Sequence, residues 1–514
     1  MVSPLSESQS IMAGIVPLKE YQHSGQATIS SDARRTGRLV SLDAFRGFIM
    51  IVLAAEGFGF RDFAKLPNDA PAWKIVDYDT WQTIGHHFRH ANWVAIDTTY
   101  GIAFWDLIQP AFMFMVGVAM PLSYARRKAR GQSSANRLLH ALIRSVILVL
   151  MGVFLYSLQY PRTNWLFTNV LAQIGLGYFF AYLLLKRTPK IQRWAIAVIL
   201  TGYWALFYFS PPPDGYDYKA VGVSIENGEV ITDHEVPWYY RWIQRSVAQN
   251  DGEVFTNHMA PWSKNGNIAF RFDQWLLPKL RTTGTNESEK PVLDSTQAAD
   301  SEDDNTALGA DVLQDQPNRM GLLRRWLFSN PQEYAFNQSG YTTLNFVPSI
   351  ATALLGVLCG QLLICGKRPI AVVFRLLIGG AICVGLGLAA HVTICPVIKI
   401  IWTPSWTLFS GGCVIWMLAV FYLLFDVLPL KKVAWPLQVI GINSLAVYLM
   451  GQLLGGWVED KVVAIHLSGF METVCGTDVL GDNTFGHIIG PTSVAVVFWL
   501  LTVYMYRRRI HIRI

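Results

Sequence analysis

The chain has 514 residues, of which 52% are hydrophobic and only 15% charged. Soluble globular chains carry nearer a quarter charged residues, so this deficit, with a mean hydropathy of +0.29, points to a membrane protein. The net charge of +6 calls for no nucleic-acid partner: the basic residues cluster in short loops between apolar runs, where they act as a topology signal.

Residues 1–38 are polar and Ser-rich and end in Arg34, Arg35 and Arg38. They lack the short charged start and immediate apolar core of a cleavable signal peptide, and are expected to form a disordered cytoplasmic tail. Ten apolar runs then follow that are long enough to cross a bilayer. They lie near 40–60, 102–123, 138–158, 166–186, 193–210, 343–365, 369–391, 406–428, 434–456 and 488–506. The first is the least apolar, because it contains Asp43, Arg46 and Glu56.

The expected fold is an all-α polytopic membrane protein with about ten transmembrane helices. Five spans (39–210) form an N-terminal bundle that includes the His90 loop, and five (343–514) a C-terminal bundle. A large exterior region, 211–342, lies between spans 5 and 6. Within it, 285–318 is acidic and almost free of aromatics, which reads as a flexible insert. The flanks "VPWYYRWIQ" (236–244) and "HMAPWSKNGNIAFRFDQWLLP" (258–278) are aromatic-rich and should be ordered.

With the N-terminus inside, the short cytoplasmic loops hold "RRKAR" (126–130), "KRTPKIQR" (186–193), "KR" (367–368) and "KK" (431–432), and the tail holds "RRR" (507–509). That asymmetry places both termini in the cytoplasm and His90 at the exterior face. The lack of a signal peptide and the short loops suit a bacterial inner membrane. No internal repeat of the kind that marks many transporters is visible. The six cysteines have no metal-ligand spacing, so no metal is expected; Cys395 and Cys475, in predicted exterior loops, are open to pairing.

Chemistry concentrates around "FRHANW" (88–93) and the span that begins "FWDLIQP" (104–110). A carboxylate in an apolar span needs a partner or a task. Asp106 could accept the ring N–H of His90, fix its tautomer and leave the other nitrogen to take a proton or attack an acyl group. It could equally cap the helix N-terminus, and His90 could be an interfacial loop residue. Asn92, Trp93 and Trp105 lie nearby as candidates for substrate binding. Gln173, Asn345 and Asn443 are isolated polar groups in later spans. They could line a polar cavity, with Asn443 or Gln173 as an oxyanion donor, or tie helices together. Asp43 and Arg46 share a helix face; Arg46 is either in an interfacial ion pair or aimed at a phosphate.

"RLVSLDAFRGF", "FRHANW" and "FWDLIQPAFMFMVGVAMPLS", followed in order by "VLAQIGLGYFFAY", "LNFVPSIATALLGVLCGQLL", "GINSLAVYL" and the tail "VVFWLLTVYMYRRRIHIRI", resemble the transmembrane acyltransferases related to heparan-α-glucosaminide N-acetyltransferase. The resemblance covers almost the whole membrane portion. It implies transfer of an acyl group from cytoplasmic acetyl-CoA to an exterior acceptor, an amino sugar or glycan. It maps the family's active-site histidine onto His90 and the following aspartate onto Asp106. Arg46, Arg126, Arg127 and Lys128 become the candidates for the CoA phosphates.

The chain departs from the family at the longer "VAIDTTYGIAF", at Glu56 and in the acidic insert, all of which bear on the acceptor. A second acyltransferase family that opens with Leu-Asp-x-x-Arg-Gly places its histidine in the first span, and here none occurs between residues 24 and 85. Partners on this reading are acetyl-CoA as co-substrate, the acceptor and the lipid bilayer, with a homodimer left open. The rival class is a solute transporter or proton-coupled permease that uses His90 and Asp106 as relay or gate. A third reading is a non-catalytic binder of a glycan or lipid.

Overall fold

The computed structural model describes residues 39–91, 93–97, 101–223, 247–248, 253–255, 257–281, 324, 326–330, 334–428, 430–476 and 484–512. The tail 1–38, the flank 236–244 and the insert 285–318 lie outside them. The described chain is mostly helical. Among the described residues six helices are long and apolar enough to cross a membrane: Phe104–Ala129, Ser134–Ser157, Thr343–Leu363, Pro369–Thr393, Pro404–Val427 and Gly486–Arg507.

In chain order the helices are α1 (Val40–Ala54), α2 (Tyr78–His87), α3 (Phe104–Ala129), α4 (Ser134–Ser157), α5 (Val170–Leu184), α6 (Pro189–Tyr208) and α7 (Ile268–Leu276). After them come α8 (Phe346–Leu363), α9 (Pro369–Thr393), α10 (Pro404–Tyr422), α11 (Trp435–Ile442), α12 (Ser444–Trp457), α13 (Ser468–Cys475) and α14 (Gly486–Arg507). Their starts follow capping rules. Ser133, Asn169 and Thr403 side chains accept from Asn136 N, Leu171 N and Trp406 N, and Pro189, Pro369 and Pro404 open their helices. Asp426 caps α1 from the far end of the sequence, accepting from Val40 N and Ser41 N.

The other four expected spans lie outside these six. The run 40–60 is helical only to Ala54, because Glu56, Gly57, Phe58 and Gly59 all have positive φ (47°, 68°, 58° and 68°) and turn the chain left-handed. A side chain at Gly59 would strike His487 O, so that turn is also wedged against α14. The run 166–186 is the 15-residue α5. Helix α6 is 20 residues long but starts with Lys190, Gln192 and Arg193 and is outside the six. The run 434–456 is broken at Asn443, where α11 meets the following helical stretch at 78°. Cys395, left open to pairing with Cys475, is a buried free thiol beside Ser405 Oγ.

The helices sort into an inner and an outer set. Helices α3 and α8 are mostly buried within the protein, whereas α4, α9 and α14 bury about a third or less of their apolar window. On α4 the residues Leu139, Ile143, Val146, Leu150 and Phe154 recur at helical spacing and are exposed. An apolar stripe of that size is a lipid-facing surface. The inner pair meets through glycine: a Cβ at Gly117 would collide with Ala353 O, at Gly356 with Phe114 O, and at Gly360 with Val118 O. Small residues at both faces let the backbones touch, the usual device where apolar burial gives helices no reason to prefer one another over lipid.

This contact is testable by substitution. Gly356→Ala is expected to destabilise the protein by about 1–3 kcal/mol through overpacking. Gly379→Ala, whose Cβ meets nothing within 4 Å, should be neutral or up to about 1 kcal/mol stabilising, from helix propensity alone. Thermal unfolding of both variants in detergent reads the contrast; equal melting points would exclude a close α3–α8 crossing.

Candidate functional site

The site is built where two loops are stitched together. After α2 the chain passes His90 and enters a small antiparallel hairpin, β1 (Ile96–Asp97) with β2 (Gly101–Ile102), before α3 begins. Ala95 N donates to Val397 O at 2.8 Å, and Val94 bridges Ile398, so this segment lies on the 394–403 loop between α9 and α10. Loops of this length drift unless held, and this second loop is pinned at nearly every residue. Val397 N donates to His391 Nδ1, Ile398 N to Thr403 Oγ1, Asn345 Nδ2 to Ile400 O, and Tyr203 OH to Ile401 O.

The pinned loop carries Lys399, which is buried. Asp106, in the first turn of α3, is the meeting point. Its Oδ1 lies 2.7 Å from His90 Nδ1 and accepts from Lys399 Nζ at 3.0 Å, while Oδ2 accepts from Ala91 N at 3.2 Å. The α3 N-cap is Ala103 and receives no side-chain bond, so Asp106 serves the loops and not the helix end. Its side chain is 1% exposed against 52% for His90, which leaves the carboxylate shielded and the imidazole open.

The proton positions follow from the contacts. Lys399 Nζ also lies 3.0 Å from His90 Nδ1, but that nitrogen cannot accept from lysine and donate to aspartate at once. A bare nitrogen 2.7 Å from a carboxylate oxygen would be repulsive, so Nδ1 carries the proton and donates it to Asp106. In the neutral ring the lone pair is then on Nε2. Burial pulls Lys399 towards its neutral form, but Tyr341 and Asp106 outweigh it and hold the ammonium's pKa above the usual lysine value.

Of the residues singled out from sequence, His90, Asp106 and Trp105 come together; the Trp105 ring centre is 6.2 Å from that of His90. Trp93 is buried instead, with its indole N–H donated to Trp262 O at 3.0 Å. Gln173 Nε2 donates to Phe167 O, Thr342 O and Thr343 O, and Asn345 joins Thr342 Oγ1 to Ile400 O. Asn443 holds the C-terminal segment, donating to Ile510 O and accepting from Ile512 N. The side-chain amides of Gln173 and Asn443 therefore both hold backbone carbonyls of the scaffold. Asn92 lies outside the described residues.

At the opposite end of α3 a cavity of about 380 Å³ opens between α1, α3, α4, α5 and the α11–α12 break. Arg46, Arg126, Arg127, Arg130 and Arg144 line it, and apolar residues including Met50, Ala111 and Met115 continue it inward. Lys128 is not in its wall. Arg46 also pairs with Asp43 at 3.7 Å. Three residues escape the sequence reading: Lys399, Arg130 and Arg144. Arg144 and Lys399 each stand as a lone cation in an apolar stretch, "LIRSVILVL" and "CPVIKIIW", which is itself a functional signal. Among the described residues no group of three or more His, Cys, Asp or Glu is placed to hold a metal ion. No protein-family model matches the chain, and no curated protein matches it.

A second buried acid lies outside the spanning helices. Asp273 of α7 accepts from Thr343 N at 2.9 Å through Oδ2, while Oδ1 has no partner among the described residues. Burial pushes its pKa up to about 6 from 3.8, against the opposing Thr343 hydrogen bond. A carboxyl with a raised folded value contributes stability that is fully present below the unfolded value and lost as pH rises through the folded one. The wild type should thus lose about 3 kcal/mol of Asp273's contribution between roughly pH 4 and pH 7. Asp273→Asn should flatten that part of the profile of melting temperature against pH. Parallel profiles for the two proteins would show that Asp273 titrates normally.

Proposed function

We propose that the chain is a membrane-embedded acyltransferase that moves an acetyl group from cytoplasmic acetyl-CoA to an exterior amino sugar or glycan. The observation that carries this reading is the placement of two complementary features on one helix. The His90–Asp106 pair is at the start of α3, and the arginine-lined cavity is at its end. Asp106 and Arg126 are about 30 Å apart along the helix, at 1.5 Å per residue. The cavity's apolar end at Ala111 comes within about 8 Å of Asp106 on the same measure.

Guanidinium groups suit a polyphosphate, so Arg46, Arg126, Arg127, Arg130 and Arg144 would hold the nucleotide head. The thioester arm would follow the apolar part of the cavity towards His90. There Nε2 has two uses. It can attack the thioester carbonyl, forming a C–N bond as the C–S bond breaks and CoA leaves as a thiolate. It can instead take the proton from the acceptor amine as that amine attacks the thioester carbonyl, the C–S bond breaks and CoA leaves as a thiolate. Asp106 stabilises the positive ring in either route. On this reading α1, α5, α6 and the broken α11–α12 stretch complete a ten-span bundle. Both termini are cytoplasmic, and the membrane is a bacterial inner membrane.

The test is turnover of acetyl-labelled acetyl-CoA by purified protein in nanodiscs, with and without glucosamine-type acceptors. Acceptor-dependent CoA release should fall about 100-fold or more in His90→Ala. Arg144→Gln should mainly raise KM for acetyl-CoA. Label that stays on the wild type without acceptor, and not on His90→Ala, would favour the covalent route. Failure to bind or turn over any acyl-CoA would sink the enzyme reading, and solute exchange without a covalent product would put a transporter in its place.

A further inference from the structure

We propose that Lys399 is a positioning residue that balances the charge of Asp106 and so keeps His90 in the neutral, Nδ1-protonated form with Nε2 free. The proposal deepens the acyltransfer reading and rests on it for its purpose. A histidine bonded only to a buried carboxylate gains from becoming a cation, because the pair then neutralises itself. A cationic ring has no lone pair, and so neither attacks a carbonyl nor takes a proton. Here the carboxylate is already neutralised from within the protein.

The two opposing charges act on the ring from nearly equal range. Asp106 Oδ1 attracts a ring cation from 2.7 Å of Nδ1, and Lys399 Nζ repels it from 3.0 Å. The other charged groups around the ring are engaged elsewhere or exposed. Arg89 donates to His86 Nδ1, His87 Nδ1 meets Ile102 O, and Glu56 is exposed on the turn beside Trp105. Tyr341 also lies beside Lys399, its ring centre 5.9 Å from Nζ. Lys399 cannot drift away, because the residues on both sides of it are tied by Asn345, Tyr203 and Thr403. A buried lysine on so rigid a loop is costly unless its charge is used.

The test reads the ring directly and needs no acyl transfer. Diethyl pyrocarbonate acylates neutral imidazole, and peptide mass spectrometry follows its reaction at His90 as a function of pH. In Lys399→Gln, which keeps a hydrogen-bond donor and loses the charge, the labelling curve should move to higher pH by about one unit or more. Lys399→Arg should stay near the wild type. Should Lys399→Gln not fold, Asp106→Asn against Asp106→Asn/Lys399→Met makes the same comparison, since the two differ only at the lysine. Superimposable curves with and without the charge would overturn the proposal. Because the probe reports in a protein with no turnover, loss of the acyltransferase reading would be seen separately, in the CoA assay.

Discussion

One buried carboxylate organises the end of the bundle where α3 begins. Asp106 is reached by a histidine from the loop before it, a backbone amide from the same loop and a lysine 293 residues later. A carboxylate removed from water is tolerable only when its oxygens are paired. The two loops must therefore close over it together. The hairpin, the Val94–Ile398 bridge and the bonds around residues 394–403 are the means by which they do so.

The same end of the molecule shows how far local sequence can speak for a site. Asp106 and His90 are legible because a charge in an apolar span is rare and the histidine lies only 16 positions away. Lys399 stands out only as a lone cation in "CPVIKIIW"; that it crosses to a helix start 293 residues earlier has no local signature. Trp93, Gln173, Asn345 and Asn443 stand out as unusual, but their partners do not. All four donate to backbone carbonyls, which have no sequence signature. The breaks within two of the apolar runs are hidden in a related way. Hydropathy marks 40–60 and 434–456 as continuous, whereas the backbone turns at Glu56–Gly59 and Asn443 interrupt them.

The inner helices supply the rigidity on which such a site depends. At Gly117, Gly356 and Gly360 the α3 and α8 backbones are in contact, and contacts between backbones have few alternative arrangements. The outer faces of α4 and α9 carry no such constraint and present interchangeable aliphatic side chains. Sequence change should therefore be absorbed outside and resisted within.

The left-handed turn after α1 has an electrical consequence. Helix α1 has 15 residues, about 22 Å of rise, against a hydrocarbon core about 30 Å thick. On the proposed topology, with the arginine-lined cavity entering from the opposite side, the apolar partition inside the bundle is thinner than the surrounding lipid. A transmembrane voltage falls mainly across whatever low-dielectric layer separates two aqueous spaces. On the proposed topology that layer narrows to the turns of α3 between Ala111 and Asp106, and a charge moved across them would sense a disproportionate share of the field.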